Sequence, residues 1–177
     1  MLFGCGLRIS EAISLQIKDI DLMDGILHVH RSKYKSSRLV PMSWGLAENC
    51  RDYYTQLGYY QGKNGYFFEV SPGVPYTSGS CYNRFRSFLE EAGIRSKGRG
   101  RGPRLHDARH TYAVYALDHM VKQGMDIYCA LPILSSYMGH RTIESTEKYV
   151  RLVPSFHNDI IDALKPIYNG LFPEVVG

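Results

Sequence analysis

Apolar residues along the chain fall into runs with either helical or alternating spacing. Ile9, Ile13, Ile17 and Ile20, with Ala12 and Leu15 beside them, recur at helical intervals. They predict a helix whose approach is broken by Gly4 and Gly6, with Arg8 at its start and Glu11 one turn on. Asp21 to Gly25 reads as a turn, in which Asp19, Asp21 and Asp24 are turn formers. GILHVH then alternates through Ile26, Leu27 and Val29, and SRLVPM makes a second short strand. Together they predict a hairpin with a basic tip, RSKYKSS, over 31–37. From Trp44 a helix is expected, with Leu46, Cys50, Tyr53, Tyr54 and Leu57 as its apolar stripe. GYFFEV (65–70) reads as a short buried strand, and SPGVPYTSG as a loop in which Thr77 or Ser78 caps the next helix. That helix is expected from about residue 80 to 92, with Tyr82, Phe85, Phe88 and Leu89 facing inward.

The second half opens on GIRSKGRGRGPR (93–104), which carries Arg95, Lys97, Arg99, Arg101 and Arg104 among four glycines. Such a segment cannot pack a core and reads as a loop. A helix follows Pro103 over about 106–121, with Ala108, Tyr112, Tyr115, Ala116 and Met120 buried. Asp107 near its N-terminus suits the helix dipole. Another helix spans 126–138, where Pro132 must lie in the first turn or divide it. Gly139 ends that helix, and Thr142 is expected to cap a short one ending near Tyr149. Residues 154–168 are amphipathic through Phe156, Ile160, Ile161, Leu164 and Ile167.

Composition narrows the class. The chain has 177 residues, 44% of them hydrophobic and 21% charged, as in an ordinary soluble globular domain. A formal charge of +4 permits a nucleic-acid partner without requiring one. Cys5, Cys50, Cys81 and Cys129 form no CxxC pair, so a disulfide or zinc framework is not expected and a reducing cytosol fits. No apolar run reaches the roughly 18–20 residues of a membrane span. Nor do the first residues read as a signal peptide.

The candidate chemistry concentrates in three stretches. In LHDARHTYA (105–113), His106 and Arg109 are three apart and project from one helical face. In YMGHRTIESTEKYV, His140 follows a glycine and Tyr149 comes nine residues later. GLRISE (6–11) supplies Arg8. Two arginines, histidines, a lysine and a tyrosine suit a phosphodiester attacked without a metal. Such a reaction needs fixed cations on the non-bridging oxygens, a nucleophile, and an acid for the leaving oxygen. A guanidinium pairs with two phosphate oxygens at once, which makes Arg8 and Arg109 the clamp candidates. A free tyrosine, with pKa near 10, is ionised only about one part in a thousand at pH 7. Nearby arginines favour the phenolate, and His106 or Glu11 could take its proton. Arg84 and Arg86, on the flanks of their helix, and the basic loop could follow a nucleic-acid backbone.

Each feature also has a plainer reading. Arg8 and Glu11 alone make a surface salt bridge, worth well under about 1 kcal/mol. Lys33 and Lys35 at a hairpin tip can simply block strand addition. A basic loop can be a linker. His106 and His110 have the HxxxH spacing of zinc ligands, yet Asp107 stands where a metalloprotease carries glutamate. There is no P-loop motif, no GxSxG elbow and no carboxylate cluster suited to two metals.

Order and spacing carry more than any one residue. L-F-x-C-G-L-R-I-S-E, S-R-L-V-P, L-H-D-A-R-H-T and Y-M-G-H-x-x-I-x-x-T-x-x-Y, in that order, resemble the boxes of the tyrosine recombinases, the phage-integrase family. The resemblance runs from Gly4 to about Leu152. It implies an α+β catalytic-domain fold, mainly α-helical with a small antiparallel β-sheet at one edge. It implies site-specific recombination of double-stranded DNA through a 3′-phosphotyrosyl intermediate, with no metal and no cofactor. Arg8 and Arg109 would clamp the scissile phosphate, and Tyr149 would be the nucleophile. His140 would hydrogen-bond the phosphate and His106 would assist proton movement. Lys33, five residues before Arg38, would protonate the leaving oxygen. Lys35 is the alternative, because YKSS lacks the glycine usual after that lysine. Glu11 would orient Arg8, with Asp107 in support beside His106. DNA would be met by Arg84, Arg86, Arg95, Lys97, Arg99, Arg101 and Arg104.

The same resemblance implies a homo-tetramer on synapsed DNA and a monomer or weak oligomer otherwise. The C-terminal helix, 154–168, would be exchanged between protomers. The setting would be the bacterial cytoplasm, at the nucleoid. Family members usually carry an N-terminal DNA-clamping domain, so the 177 residues are expected to be a single catalytic domain truncated at its N-terminus, with weak DNA affinity alone. Other readings are a type IB topoisomerase-like enzyme that relaxes DNA and a catalytically idle DNA-binding remnant.

Overall fold

The computed structural model describes residues 1–30, 37–56, 65–94 and 102–153. It divides into two compact units, one of residues 1–113 with 137–139, the other of 114–136 with 140 onward.

The first unit begins with α1 (Leu2–Cys5), which Gly6 ends in the left-handed conformation at φ 59°. α2 (Ile9–Ser14) follows, with Arg8 at its N-cap. The helix expected through Ile20 therefore stops early. Leu15 is extended, Ile17 lies in a 3-10 turn (Ile17–Asp19), and Ile20 opens β1 (Ile20–Asp21). The cause is backbone pairing: Ile17 N donates to Gly65 O at 2.9 Å and Phe67 N to Leu15 O at 2.8 Å. The Asp19 carboxylate takes the Gln16 N–H at 3.0 Å and starts the turn. The spacing of four, four and three thus arose from a helix, a turn and a strand in succession.

β2 (Ile26–Val29) and β3 (Arg38–Pro41) complete an antiparallel sheet in the order β1-β2-β3. Leu27 lies opposite both Ile20 and Val40, and all three are buried, while His28 and its partner Leu39 face out. The Asp21 carboxylate closes the β1–β2 turn by accepting from the N–H groups of Met23 and Asp24. α3 (Trp44–Gln56) buries Ala47 and Cys50, and Cys50 joins the core cluster that holds Leu27 and Val40. The core joins Cys5, Leu7, Ala12, Leu15, Leu27, Val29, Val40 and Phe67. Each large aliphatic side chain buried there contributes roughly 1.5–3 kcal/mol.

Two local expectations shift. In GYFFEV only Phe67 is buried, packed against Tyr53 with centroids 5.3 Å apart. The strand starts later, as β4 (Glu69–Ser71) paired with β5 (Val74–Pro75), and Val70 is exposed. Glu69 fixes that hairpin by accepting from Tyr66 N and Gly73 N. α4 (Ser78–Glu91) starts at Thr77, whose hydroxyl oxygen accepts from Ser80 N at 3.1 Å. Phe85 and Leu89 are half-buried as expected of inward residues, whereas Tyr82 and Phe88 are exposed. Phe88 lines an open apolar cavity of about 410 Å³ with Leu2, Ile9, Ile13 and Phe85.

α5 (Asp107–Lys122) and α6 (Ile127–Met138) each run from one unit into the other. The buried stripe of α5 is Arg109, Ala113 and Leu117, four apart, and the expected Tyr115 is exposed. α6 continues unbroken past Pro132, its sixth residue. Pro132 is exposed, so the carbonyl it cannot pair faces water. Gly139, at φ 62°, ends α6. In the second unit α7 (Glu144–Glu147) has Ile143, not Thr142, at its N-cap and receives no side-chain cap. Tyr149 then leads a 3-10 turn, Val150–Leu152. Among the described residues no helix is long and apolar enough to cross a membrane.

Gly6 and Gly45 make a matched pair of tests. A Cβ on Gly6 would lie 2.5 Å from Tyr112 Cδ1 and 2.7 Å from Met138 Sδ, at a positive φ. Gly6→Ala should lower stability by about 2 kcal/mol or more in urea unfolding. Gly45, in α3 with open space around it, should gain roughly 0.5–1 kcal/mol on substitution by alanine. Equal effects at the two positions would contradict this packing.

Candidate active site

Glu11 organises the first unit's polar centre. As the third residue of α2, its carboxylate reaches back to Arg8 N at 2.9 Å, half of a capping box. Arg8 Nη1 donates to Oε1 at 2.9 Å. Arg38, at the start of β3, grips both oxygens, with Nη1 on Oε1 at 3.0 Å and Nη2 on Oε2 at 2.9 Å. Arg109 Nη1 lies 3.9 Å from Oε2. Glu11 is thus not part of a surface salt bridge: it is 8% exposed and shared by three guanidiniums.

The end of α6 holds the same arginines from the other side. Consecutive carbonyls of Tyr137, Met138 and Gly139 accept from Arg38 Nε at 2.8 Å, Arg109 Nη2 at 2.7 Å and Arg8 Nη2 at 2.8 Å. These are carbonyls that a helix C-terminus leaves without helical partners, at the negative end of its dipole. Arg109 Nη1 also donates to Gly6 O. Tyr137 ties the helix end to the sheet, its hydroxyl donating to Pro41 O at 3.0 Å and its ring stacking on Tyr112. Depth within the cluster is graded. Arg109 is 2% exposed and the side chains of Arg38 and Arg8 are 13% and 33% exposed.

Burial alone would push the Glu11 carboxyl up. The hydrogen bonds from Arg38 and from the Arg8 N–H, with the charges of both arginines, overcome it and hold the group at about 2. The folded value lies below the ordinary 4.5, so this stabilisation is present above pH 4.5 and is lost as pH falls towards 2.

Other candidates lie elsewhere in the first unit. His106 is exposed, its ring edge-to-face with His110 at 4.6 Å. Asp107 is engaged by Arg104, whose Nη2 donates at 2.9 Å and whose N–H donates at 2.9 Å. The Arg104 hydrogen bonds draw the Asp107 carboxyl below its ordinary range. Arg84 and Arg86 are exposed on α4, and Arg86 lies over the Tyr82 ring at 5.9 Å. Lys33, Lys35, Arg95, Lys97, Arg99, Arg101 and the 154–168 segment lie outside the described residues.

The second unit pairs His140 with Tyr149. Their rings stack at 6.2 Å with planes 24° apart. His140 Nδ1 lies 2.7 Å from the Thr146 hydroxyl, and Thr146 is fully buried. That bond fixes the ring and leaves Nε2 as the nitrogen not engaged by Thr146. Lys148 Nζ stands 5.1 Å from the Tyr149 ring centroid. Tyr149 itself is 2% exposed. Arg38 and Thr146 are the residues that sequence reasoning assigned no role. Arg38 had marked only the position of Lys33. Thr146 stood in the I-x-x-T-x-x-Y box, three residues before Tyr149, and that placement was its signal.

The mainly helical chain with its small antiparallel sheet has the tyrosine recombinase catalytic-domain fold. It superposes on XerA recombinase with a TM-score of 0.69 at 24% identity, covering 98% of this chain and 55% of that one. The phage integrase family model matches residues 1–155, and the chain belongs to that family. A putative integrase/recombinase of Sinorhizobium fredii, y4rB, is 31% identical over 163 residues, 90% of this chain and 52% of the relative. The Tn1549 transposon integrase, solved in complex with transposon right end DNA, gives a TM-score of 0.64 at 20% identity, covering 84% of this chain and 51% of that one. The chain spans about half the length of the curated relatives it matches.

Two outcomes check the site. The stability difference between wild type and Glu11→Gln should shrink by on the order of 3 kcal/mol between pH 5 and pH 2, read from urea midpoints. A difference independent of pH would contradict the ionised buried carboxylate. Thr146→Val, close in volume but without the hydroxyl, should cost about 1 kcal/mol and shift the His140 ring nitrogens in ¹⁵N spectra.

Proposed function

We propose that the chain carries out site-specific recombination of double-stranded DNA through a 3′-phosphotyrosyl intermediate on Tyr149. The observation that carries this reading is the arginine cluster. Arg8 and Arg109 are held by one buried carboxylate and by fixed carbonyls, in a member of the phage integrase family. The DNA-bound Tn1549 integrase, of like fold, supports DNA as the partner.

In this reading the Arg8 and Arg109 guanidiniums neutralise the non-bridging oxygens of the scissile phosphate. The Tyr149 oxygen attacks phosphorus as its proton passes to His106. The bond from phosphorus to the 5′ oxygen breaks, and Lys33, or Lys35 in its place, protonates the departing oxygen. His140 donates to a phosphate oxygen, its ring held by Thr146. Rejoining reverses these steps, with a 5′ hydroxyl attacking the phosphotyrosyl bond and tyrosine leaving. No proton or charge has to come from a cofactor. Tyr149 is almost fully buried, so attack requires the phenol to be uncovered. Glu11 orients Arg8, and Asp107 steadies the loop into α5 through Arg104.

Arg84, Arg86, Arg95, Lys97, Arg99, Arg101 and Arg104 contact the DNA backbone in this account. Each phosphate neutralised adds about 0.9 to the salt slope of binding. On synapsed sites the working assembly is a homo-tetramer in which residues 154–168 pass between protomers. The protein would act in the bacterial cytoplasm on the nucleoid.

The test uses nicked suicide duplexes of randomised sequence, which trap the covalent adduct whatever site is preferred. Wild type should accumulate an adduct on denaturing gels, and Tyr149→Phe should form none. Arg8→Gln and Arg109→Gln should each slow cleavage on the order of 10²–10³-fold. Adducts persisting in Tyr149→Phe would show that the nucleophile is another residue. No adduct with wild type would leave the 177 residues as a non-cleaving chain.

A further inference from the structure

Glu11 stands where it could undo the site it organises. A buried carboxylate beside two clamp guanidiniums competes with any phosphate for their charge. Arg38 answers that competition. It takes both carboxylate oxygens, at 3.0 and 2.9 Å, whereas Arg8 has one side-chain bond to Glu11 and Arg109 stands off at 3.9 Å. Its Nε is anchored on Tyr137 O, the first of the three carbonyls that hold the cluster. Arg38 is 13% exposed and leads β3 opposite Val29, while Arg8, at 33%, is the arginine open to solvent. Three guanidiniums against one carboxylate leave a net double positive charge. A phosphodiester under attack by a phenolate carries two negative charges in its transition state. Without Arg38 the cluster would hold half the charge needed, and Glu11 would draw more heavily on Arg8 and Arg109.

We infer that Arg38 is a positioning residue for DNA cleavage: its two-point grip keeps Glu11 aligned to orient Arg8 and leaves the Arg8 and Arg109 charges for the phosphate. The inference rests on the phosphate-site reading above. It acts through Glu11, so its mark is coupling between the two residues. Lysine preserves the charge but has a single nitrogen, so it cannot place one nitrogen on each carboxylate oxygen and a third on Tyr137 O as Arg38 does.

The experiment measures suicide-duplex cleavage and DNA affinity for wild type, Arg38→Gln, Arg38→Lys, Glu11→Gln and the Arg38→Gln/Glu11→Gln double variant. Arg38→Gln should cleave about 10–100-fold more slowly with its Kd for DNA within about 3-fold of wild type. Arg38→Lys should fall between the two. In the Glu11→Gln background the same Arg38 change should matter less than about 3-fold. Equal loss in both backgrounds, or a loss accounted for by Kd, would overturn the inference. A second readout is independent of cleavage. The groups facing Glu11 are Arg8 from its own helix, Arg38 from β3 and Arg109 from α5. Acid loss of stability should therefore begin at a higher pH in Arg38→Gln than in wild type. An unchanged acid profile would overturn the inference whether or not wild type formed an adduct, and a missing wild-type adduct would overturn the proposed function and with it the role of Arg38 in cleavage. Should Arg38→Gln fail to fold, Arg38→Lys carries both readouts.

Discussion

A carboxylate at 8% exposure keeps its charge only when cations and donors surround it, and Glu11 imposes that demand on the first unit. The residues that meet it come from far apart in sequence: Arg8 from the same helix, Arg38 from the sheet, Arg109 from α5. Each is a buried or half-buried cation with its own desolvation cost. The carbonyls left without helical partners at the end of α6 offset part of it. Gly6 contributes by adopting a positive φ with no side chain, which lets Tyr112 and Met138 close in and offers its own carbonyl to Arg109. Removing Glu11 would leave three cations without the carboxylate they share.

Much of this was legible in the sequence because it is local. The strands ILHV and RLVP, the caps at Thr77 and Gly139, and Glu11 one turn after Arg8 all follow from short-range pattern and chemistry. What failed to show was set by partners at a distance. Leu15 and Ile17 leave the helix to pair with residues 65–67, and no periodicity in 9–20 reports that. Arg109 was expected on one helical face with His106. It lies instead on the stripe of Ala113 and Leu117, because four-residue spacing and not three-residue spacing follows the core face of α5. Arg38 makes contacts 27 and 99 residues away, so the pattern of its own strand could not assign them.

The candidate residues form two internally ordered groups. The arginines belong to the first unit, and His140 with Tyr149 to the second. The chain passes from one group to the other at Gly139, whose carbonyl binds Arg8 and whose successor is His140. Order within each group has a different origin. Ion pairing and helix-end carbonyls fix the arginines, while a hydroxyl bond from Thr146 and ring stacking fix the imidazole beside the phenol. A clamp for phosphate has to be preorganised, because a guanidinium that moves on binding loses much of its electrostatic advantage. Tyr149, the proposed nucleophile, is 2% exposed.

The most direct measurement is to identify the residue that carries the DNA. Adducts trapped on nicked duplexes would be digested with nuclease and protease and the nucleotide-bearing peptide sequenced by mass spectrometry. A nucleotide phosphate is expected on Tyr149, with the phosphate attached to the 3′ side of the cleaved strand. A nucleotide on any other of the 14 tyrosines, or a phosphate attached to the 5′ side, would contradict it.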